Sequence, residues 1–183
     1  MIARRELLRL GLGAVAGAAS FSGSSLAWGK SADAARRLDF HHTHTGEKLA
    51  VTYFEDGDYV PGALKEVNHL LRDYHNDKIH KIDPDLLDTL TAIRRRTDSS
   101  APFEIICGYR SPATNARMAR RSSEVAKKSL HLTGQAIDIR QEGVELHRLY
   151  AAARGLQDGG VGYYPQSRFI HVDVGPVRAW SGT

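Results

Sequence analysis

Apolar and polar residues are interleaved from Leu38 to His44 and again from Lys48 to Phe54, with Thr45-Gly46-Glu47 between the two runs. That pattern predicts a β-hairpin. Pro61 then opens a stretch in which Leu64, Val67, Leu70 and Leu71 recur at helical spacing, ending before Asn76. Asp83-Pro84 reads as a cap with proline in the first turn of a second helix, which presents Leu86, Leu87, Leu90 and Ile93 on one face. Phe103 to Cys107 is a short buried strand closed by Gly108, and Ser111-Pro112 starts a third helix reaching about Arg121. Gln135 to Arg140 forms a strand with Ile137 and Ile139 on one face. A helix from about Val144 to Arg154 follows, then late strands near Gly160–Tyr164 and Arg168–Val174. Early helices and later strands joined by short turns predict an α+β fold, one domain with helices on one side of a largely antiparallel sheet.

The start of the chain follows another pattern. Arg4-Arg5 precedes Leu7-Leu8 and an apolar, glycine- and alanine-rich run from Leu10 to Ala19, and Ser25-Leu26-Ala27 offers a small-x-small cleavage site. This is the order of a secretory signal peptide, and the paired arginines resemble a twin-arginine export signal. Residues 1–27 are therefore expected to be a leader read by the twin-arginine export machinery, 28–37 a linker, and 38–183 the domain. The apolar run is short and rich in glycine, so no membrane span is expected once the leader is cut. An uncleaved anchor is the other reading; in both, the domain faces the cell envelope, and the expected place is the periplasm, as a monomer.

Composition narrows the classes further. A chain of 183 residues, 42% hydrophobic and 25% charged, can bury one sizeable core. The formal net charge is +4, but Arg4, Arg5 and Arg9 against Glu6 put +2 of it in the leader. The scattered remainder gives no footprint for nucleic acid. Cys107 is the single cysteine, so no intramolecular disulfide forms; in its apolar run it reads as a small core residue, with a nucleophilic role as the lesser alternative.

Candidate chemistry lies in Ser129–Asp138 and Phe169–Gly175. In a strand, alternate residues share a face. With Ile137 and Ile139 inward, Asp138 points the other way; with Ile170, Val172 and Val174 inward, His171 and Asp173 do the same. His131, just before the Thr133-Gly134 turn, is placed to close over them. Two imidazoles and a carboxylate suit zinc and leave its fourth position open. Nine histidines offer many chance matches, so spacing alone leaves a metal site and a set of satisfied structural histidines both open. His41, His42 and His44 are expected to be exposed histidines at the domain start rather than a second site. Of Tyr163 and Tyr164, one is expected to line a cleft and the other to pack.

Ser129, His131, Gly134, Ala136 and Asp138 fit the pattern Ser-x-His-x-x-Gly-x-Ala-x-Asp, and this segment resembles the first motif of the zinc D-Ala-D-Ala carboxypeptidase family. His171 fits that family's second motif. Leu-Arg-Asp-Tyr (71–74), Cys-Gly-Tyr-Arg-Ser (107–111), Gly-Gly-Val-Gly-Tyr-Tyr-Pro (159–165) and Phe-Ile-His-Val-Asp-Val-Gly-Pro (169–176) extend the likeness over nearly all of residues 38–180, most closely to a branch of murein endopeptidases. The resemblance implies zinc held by His131, Asp138 and His171, and peptidoglycan stem peptides as substrate. It implies cleavage of cross-links, D-Ala to diaminopimelate, diaminopimelate to diaminopimelate, or both. It also implies an active-site role for Arg110, as the donor to a developing oxyanion.

The pattern breaks at the general base. Several relatives carry a carboxylate three residues before the last ligand, where this chain has Arg168; others carry histidine two residues before it, where this chain has Phe169. Asp173, on the same strand face as His171, is the local substitute, either as catalytic base or as a carboxylate orienting an imidazole. His147 and Glu124 stand further out. Two other functions compete: a carboxypeptidase trimming terminal D-Ala, and a wall-binding module with structural zinc. The second would call for a fourth protein ligand that the motif does not supply.

Overall fold

The structure, a computed structural model, describes residues 34–122 and 125–183. The expected leader and Glu124 lie outside the described residues. Eight strands form one sheet: β1 (Arg36–His42), β2 (Lys48–Glu55), β3 (Asp58–Tyr59), β4 (Phe103–Cys107), β5 (Ala136–Gln141), β6 (Gly160–Tyr164), β7 (Phe169–Asp173) and β8 (Arg178–Ser181), in the order β3-β2-β1-β4-β5-β7-β6-β8. The β1–β4 and β6–β8 pairs are parallel and the others antiparallel. Strand β1 begins at Arg36, inside the stretch expected to be linker.

Helices α1 (Pro61–Leu70), α2 (Pro84–Thr97), α3 (Pro112–Ala119) and α4 (Leu146–Arg154) each start where local chemistry allows. Proline occupies the first turn of α1, α2 and α3, where its missing N–H costs nothing. The Asp83 carboxylate accepts the Asp85 N–H and the Ser111 hydroxyl accepts the Thr114 N–H. Helix α1 stops at Leu70 rather than near Asn76, because Asp73 turns the chain into a short bridge with Lys78.

One core unites the layers. Val67 and Leu70 of α1, Leu86, Leu87, Leu90 and Ile93 of α2, and Leu149 and Ala153 of α4 join Leu38, Phe40, Phe103, Ile105, Ile137, Ile139, Ile170 and Val172 from the strands. The strand residues are one alternating face. The opposite face of β4, β5 and β7 therefore carries Cys107, Asp138, His171 and Asp173, and α3 flanks that face. No helix among the described residues is long and apolar enough to cross a membrane.

Candidate metal centre

Asp138 and His171 are direct partners in the β5–β7 ladder, which brings their side chains together on the polar face. His131 comes from a 3-10 turn, Leu130–Thr133, at the mouth of β5. Ser129 caps that turn by accepting the His131 N–H. Gly134 ends it in the left-handed region, at φ 69°, where a Cβ would run into the Lys81 carbonyl. The spacing of the motif is thus a cap, a histidine, a glycine-only turn and a strand whose second outward residue is Asp138.

The donor atoms converge. His171 Nδ1 lies 2.9 Å from Asp138 Oδ1, His131 Nε2 lies 3.3 Å from the same oxygen, and the two imidazole nitrogens are 3.2 Å apart. A tetrahedral ion about 2.0–2.1 Å from each donor would space them by roughly 3.3 Å. The remaining ring nitrogens are committed elsewhere. His131 Nδ1 donates to the Gly108 carbonyl at 2.8 Å, and His171 Nε2 donates to Asp173 Oδ2 at 2.9 Å. Each ring, when neutral, therefore turns a lone pair toward Asp138, as metal-binding histidines with outer partners do. Three buried acceptors facing one another need a cation between them, and the residues fit a divalent ion. Without one, a proton serves. Burial opposes a charge on His131, but Asp138 and Cys107 raise its pKa to about 10. Burial opposes the Asp138 carboxylate too, yet the His131 and His171 imidazoles hold it well below the usual range.

Asp173 shares the face of His171 as strand alternation required, but it reaches the far nitrogen of that ring, away from Asp138. It is fully buried and also accepts from Arg178 Nη2 and Nη1, at 2.6 and 3.0 Å, and from the amides of Gly160 and Gly175. Its burial opposes ionisation, but His171 and Arg178 outweigh that and depress its pKa. Its carboxylate thus holds the nitrogen of His171 that faces away from Asp138.

Arg110 is buried, with Nη2 3.8 Å from Asp138 Oδ2, Nη1 donating to Asn115 at 3.3 Å, and Nε without a partner. Cys107 departs from the core position read for it. A register shift between Ile105 and Cys107 turns it out of the apolar face and opposite Asp138. Its Sγ lies with the His131 and Asp138 donor atoms inside a group spanning 4.8 Å. Burial pushes the thiol up, but His131 and Arg110 together bring it below its ordinary value.

These groups open into a cleft of about 560 Å³. Tyr74, which stacks on His44 with centroids 4.4 Å apart, is part of its lining, as are Tyr164, Phe169 and Trp180. Arg110, Lys128 and Arg178 supply its cations. Tyr164 lines the cleft while Tyr163 packs on Tyr150, one of each as the sequence suggested. His42, expected to be exposed, is fully buried; its Nδ1 accepts the His44 and Thr45 amides, and burial and then His44 push its pKa down to about 4. His147 is exposed on α4 and does not line the cleft. Strand β8 was missed, and with it Arg178 and Trp180; their alternation was the only signal.

Comparison with known proteins adds the relationship. Residues 30–180 match the family described as peptidoglycan L,D-endopeptidase MepK. The chain is 42% identical over 177 residues to the peptidoglycan L,D-endopeptidase MepK of Escherichia coli (strain K12), covering 97% of this chain and 96% of that one. It is 45% identical over 148 residues to the probable peptidoglycan L,D-endopeptidase MepK of Haemophilus influenzae, covering 80% of each chain. The crystal structure of the Serratia marcescens L-Ala D-Glu endopeptidase ChiX aligns over 52% of this chain and 68% of its own, at 28% identity and a TM-score of 0.34.

Proposed function

Because the chain belongs to the peptidoglycan L,D-endopeptidase MepK family, we propose that it is a zinc-dependent endopeptidase cutting peptide cross-links between peptidoglycan stems. The convergence of His131 Nε2, Asp138 Oδ1 and His171 Nδ1 carries this reading. Those three residues would hold the zinc, whose chemistry when bound is to polarise the scissile carbonyl and acidify water.

The rest falls to the chain's own groups. Gly108 and Asp173 fix the tautomers of His131 and His171, so each ring presents its lone pair to the centre. In this reading Asp173 orients the His171 ring rather than acting as the base. Arg110 stands beside Asp138 and lines the cleft, where its guanidinium suits a developing oxyanion. Among the described residues, the cleft's side-chain carboxylates are Asp73 and Asp138. Asp73 is taken up by the Ser111 and His75 amides, each at 3.0 Å. The cations Arg110, Lys128 and Arg178 suit the free carboxylates of stem peptides, and the aromatic residues suit their aliphatic arms.

The bond class named for the relatives favours one cross-link. A diaminopimelate–diaminopimelate link joins an L centre to a D centre, whereas a D-Ala–diaminopimelate link joins two D centres. The test is digestion of peptidoglycan holding both links by the zinc-loaded protein, with products identified by mass spectrometry. The proposal expects diaminopimelate–diaminopimelate dimers to become monomers. Release of terminal D-Ala alone would instead identify a carboxypeptidase, and intact peptidoglycan would leave a wall-binding module.

The same proposal places the protein in the periplasm by the twin-arginine route, on the strength of Arg4-Arg5 and the apolar run after it. Arg4→Lys with Arg5→Lys should leave precursor in the cytoplasm. Undiminished export of that variant would point to another route.

A further inference from the structure

We propose that Cys107 is a fourth, sulfur donor to the metal centre, closing it at rest and yielding its position when substrate enters. The inference rests on the metal reading above and adds a ligand that the motif does not contain.

The fold delivers the sulfur deliberately. Cys107 ends β4, and without the register shift after Ile105 its side chain would continue the strand's alternation differently. With the shift it stands opposite Asp138. Its Sγ, His131 and Asp138 form a group of potential ligand atoms within 4.8 Å of one another, and His131 and Asp138 are two of the three residues that converge with His171. Zinc–sulfur bonds are about 2.3 Å and zinc–nitrogen bonds about 2.0–2.1 Å, so a tetrahedral centre sets sulfur roughly 3.6 Å from its neighbours.

Other contacts converge on the same atom. Arg110 Nη2 lies 3.4 Å from Sγ, and the thiol donates to the Gly108 carbonyl at 3.6 Å, the same oxygen that receives His131 Nδ1–H. The loop that carries the sulfur is itself pinned. A Cβ on Gly108 would stand 2.6 Å from the Leu71 carbonyl, and the Tyr109 amide donates to that carbonyl at 2.7 Å. Sulfur therefore sits on a fixed strand end beside two ligand residues, with the buried Arg110 as its companion.

A thiolate is a stronger zinc donor than water. When Cys107 coordinates, its thiol proton leaves to solvent and the centre has four protein ligands, the closed arrangement of structural zinc. Opening reverses both changes: the sulfur takes up a proton and water takes its place. The consequence is a centre that holds its ion firmly between turnovers and is less active than its three-ligand form.

Cobalt distinguishes the states without relying on activity. The full chain is freed of metal and given one equivalent of Co²⁺, and its absorption is recorded alongside Cys107→Ser and Cys107→Ala. The proposal expects a near-ultraviolet sulfur-to-cobalt charge-transfer band in the parent. Both variants should lack it while keeping the visible bands of bound four-coordinate cobalt. The same variants should bind zinc several-fold more weakly and, when saturated with it, turn over faster. Bound cobalt with no sulfur band in the parent, or a band that survives in the variants, overturns the role of Cys107 alone. A parent protein that takes up no cobalt overturns the metal reading with it.

Discussion

A carboxylate that accepts five hydrogen bonds has few lone pairs left for a sixth partner, and Asp173 is in that position. Replacing it tests whether it orients or reacts. Asp173→Asn should weaken zinc binding about 10–100-fold, with hydrolysis restored by excess metal; full metal content with collapsed turnover would return Asp173 to the role of base. Arg110→Ala should keep its metal and lose on the order of 100-fold or more in turnover, as removal of an oxyanion donor does. Near-normal kinetics would make Arg110 a structural partner of Asn115 and Asp138 only. Strand alternation made the faces of Asp138, His171 and Asp173 legible in the sequence, because the isoleucines and valines between them had to point inward. It carried no information on which ring nitrogen Asp173 would meet. Cys107 was misread for a related reason: alternation assumes an unbroken strand, and the register shift beside it breaks that assumption.

At the level of elements, the site depends on turns that admit one residue type. Gly134 and Gly143 have similar dihedrals, φ 69° and 72°, but a Cβ at Gly134 meets the Lys81 carbonyl while one at Gly143 meets nothing within 4 Å. Gly143→Ala should cost only the backbone penalty, of order 1–3 kcal/mol. Gly134→Ala should cost distinctly more and should weaken metal binding, since His131 precedes that turn by three residues. Denaturant unfolding of the two variants checks this, and equal losses would show that the Lys81 contact is slack. The helix starts were readable because Pro61, Pro84 and Pro112 and the Asp83 and Ser111 caps act locally. The end of α1 was not, because it is set where Asp73 bridges to Lys78 and accepts from the distant Ser111 amide. Strand β8 escaped notice because it is four residues long and earns its place by packing: Trp180 lies over Gly162 and 5.2 Å from the His171 ring.

For the molecule as a whole, the centre links stability to pH differently with and without metal. In the metal-free protein the raised pKa of His131 stabilises the fold fully below its unfolded value of 6.5, and that contribution is lost as pH rises to about 10. The depressed pKa of Asp138 stabilises the fold above its unfolded value of 3.8 and is lost on acidification. The metal-free melting temperature should therefore be highest between those two unfolded values and fall from pH 6.5 toward 10. On the proposed reading zinc would compete with the proton on His131, so the increment it adds should grow over the same interval. Thermal unfolding across that range, with zinc and with chelator, checks both slopes; a metal-free curve flat above pH 6.5 would contradict the proton-filled centre. The α+β plan and the single core were legible because the apolar runs of strands and helices are long and regular. Of the cleft walls, one tyrosine of the Tyr163–Tyr164 pair was expected, but Tyr74 and Trp180 were not, since the first lies in the loop after α1 and the second on the short strand β8.

The central claim is that hydrolysis of a peptidoglycan cross-link depends on one metal ion held by His131, Asp138 and His171. The direct measurement is a titration: the full chain is stripped with chelator, zinc is returned in steps, and the rate of conversion of a purified diaminopimelate–diaminopimelate dimer is followed, with His171→Ala in parallel. The rate should rise from near zero to a plateau at one equivalent of zinc, and the variant should stay inactive throughout. Full hydrolysis by the stripped protein, or an unimpaired His171→Ala, would contradict the account.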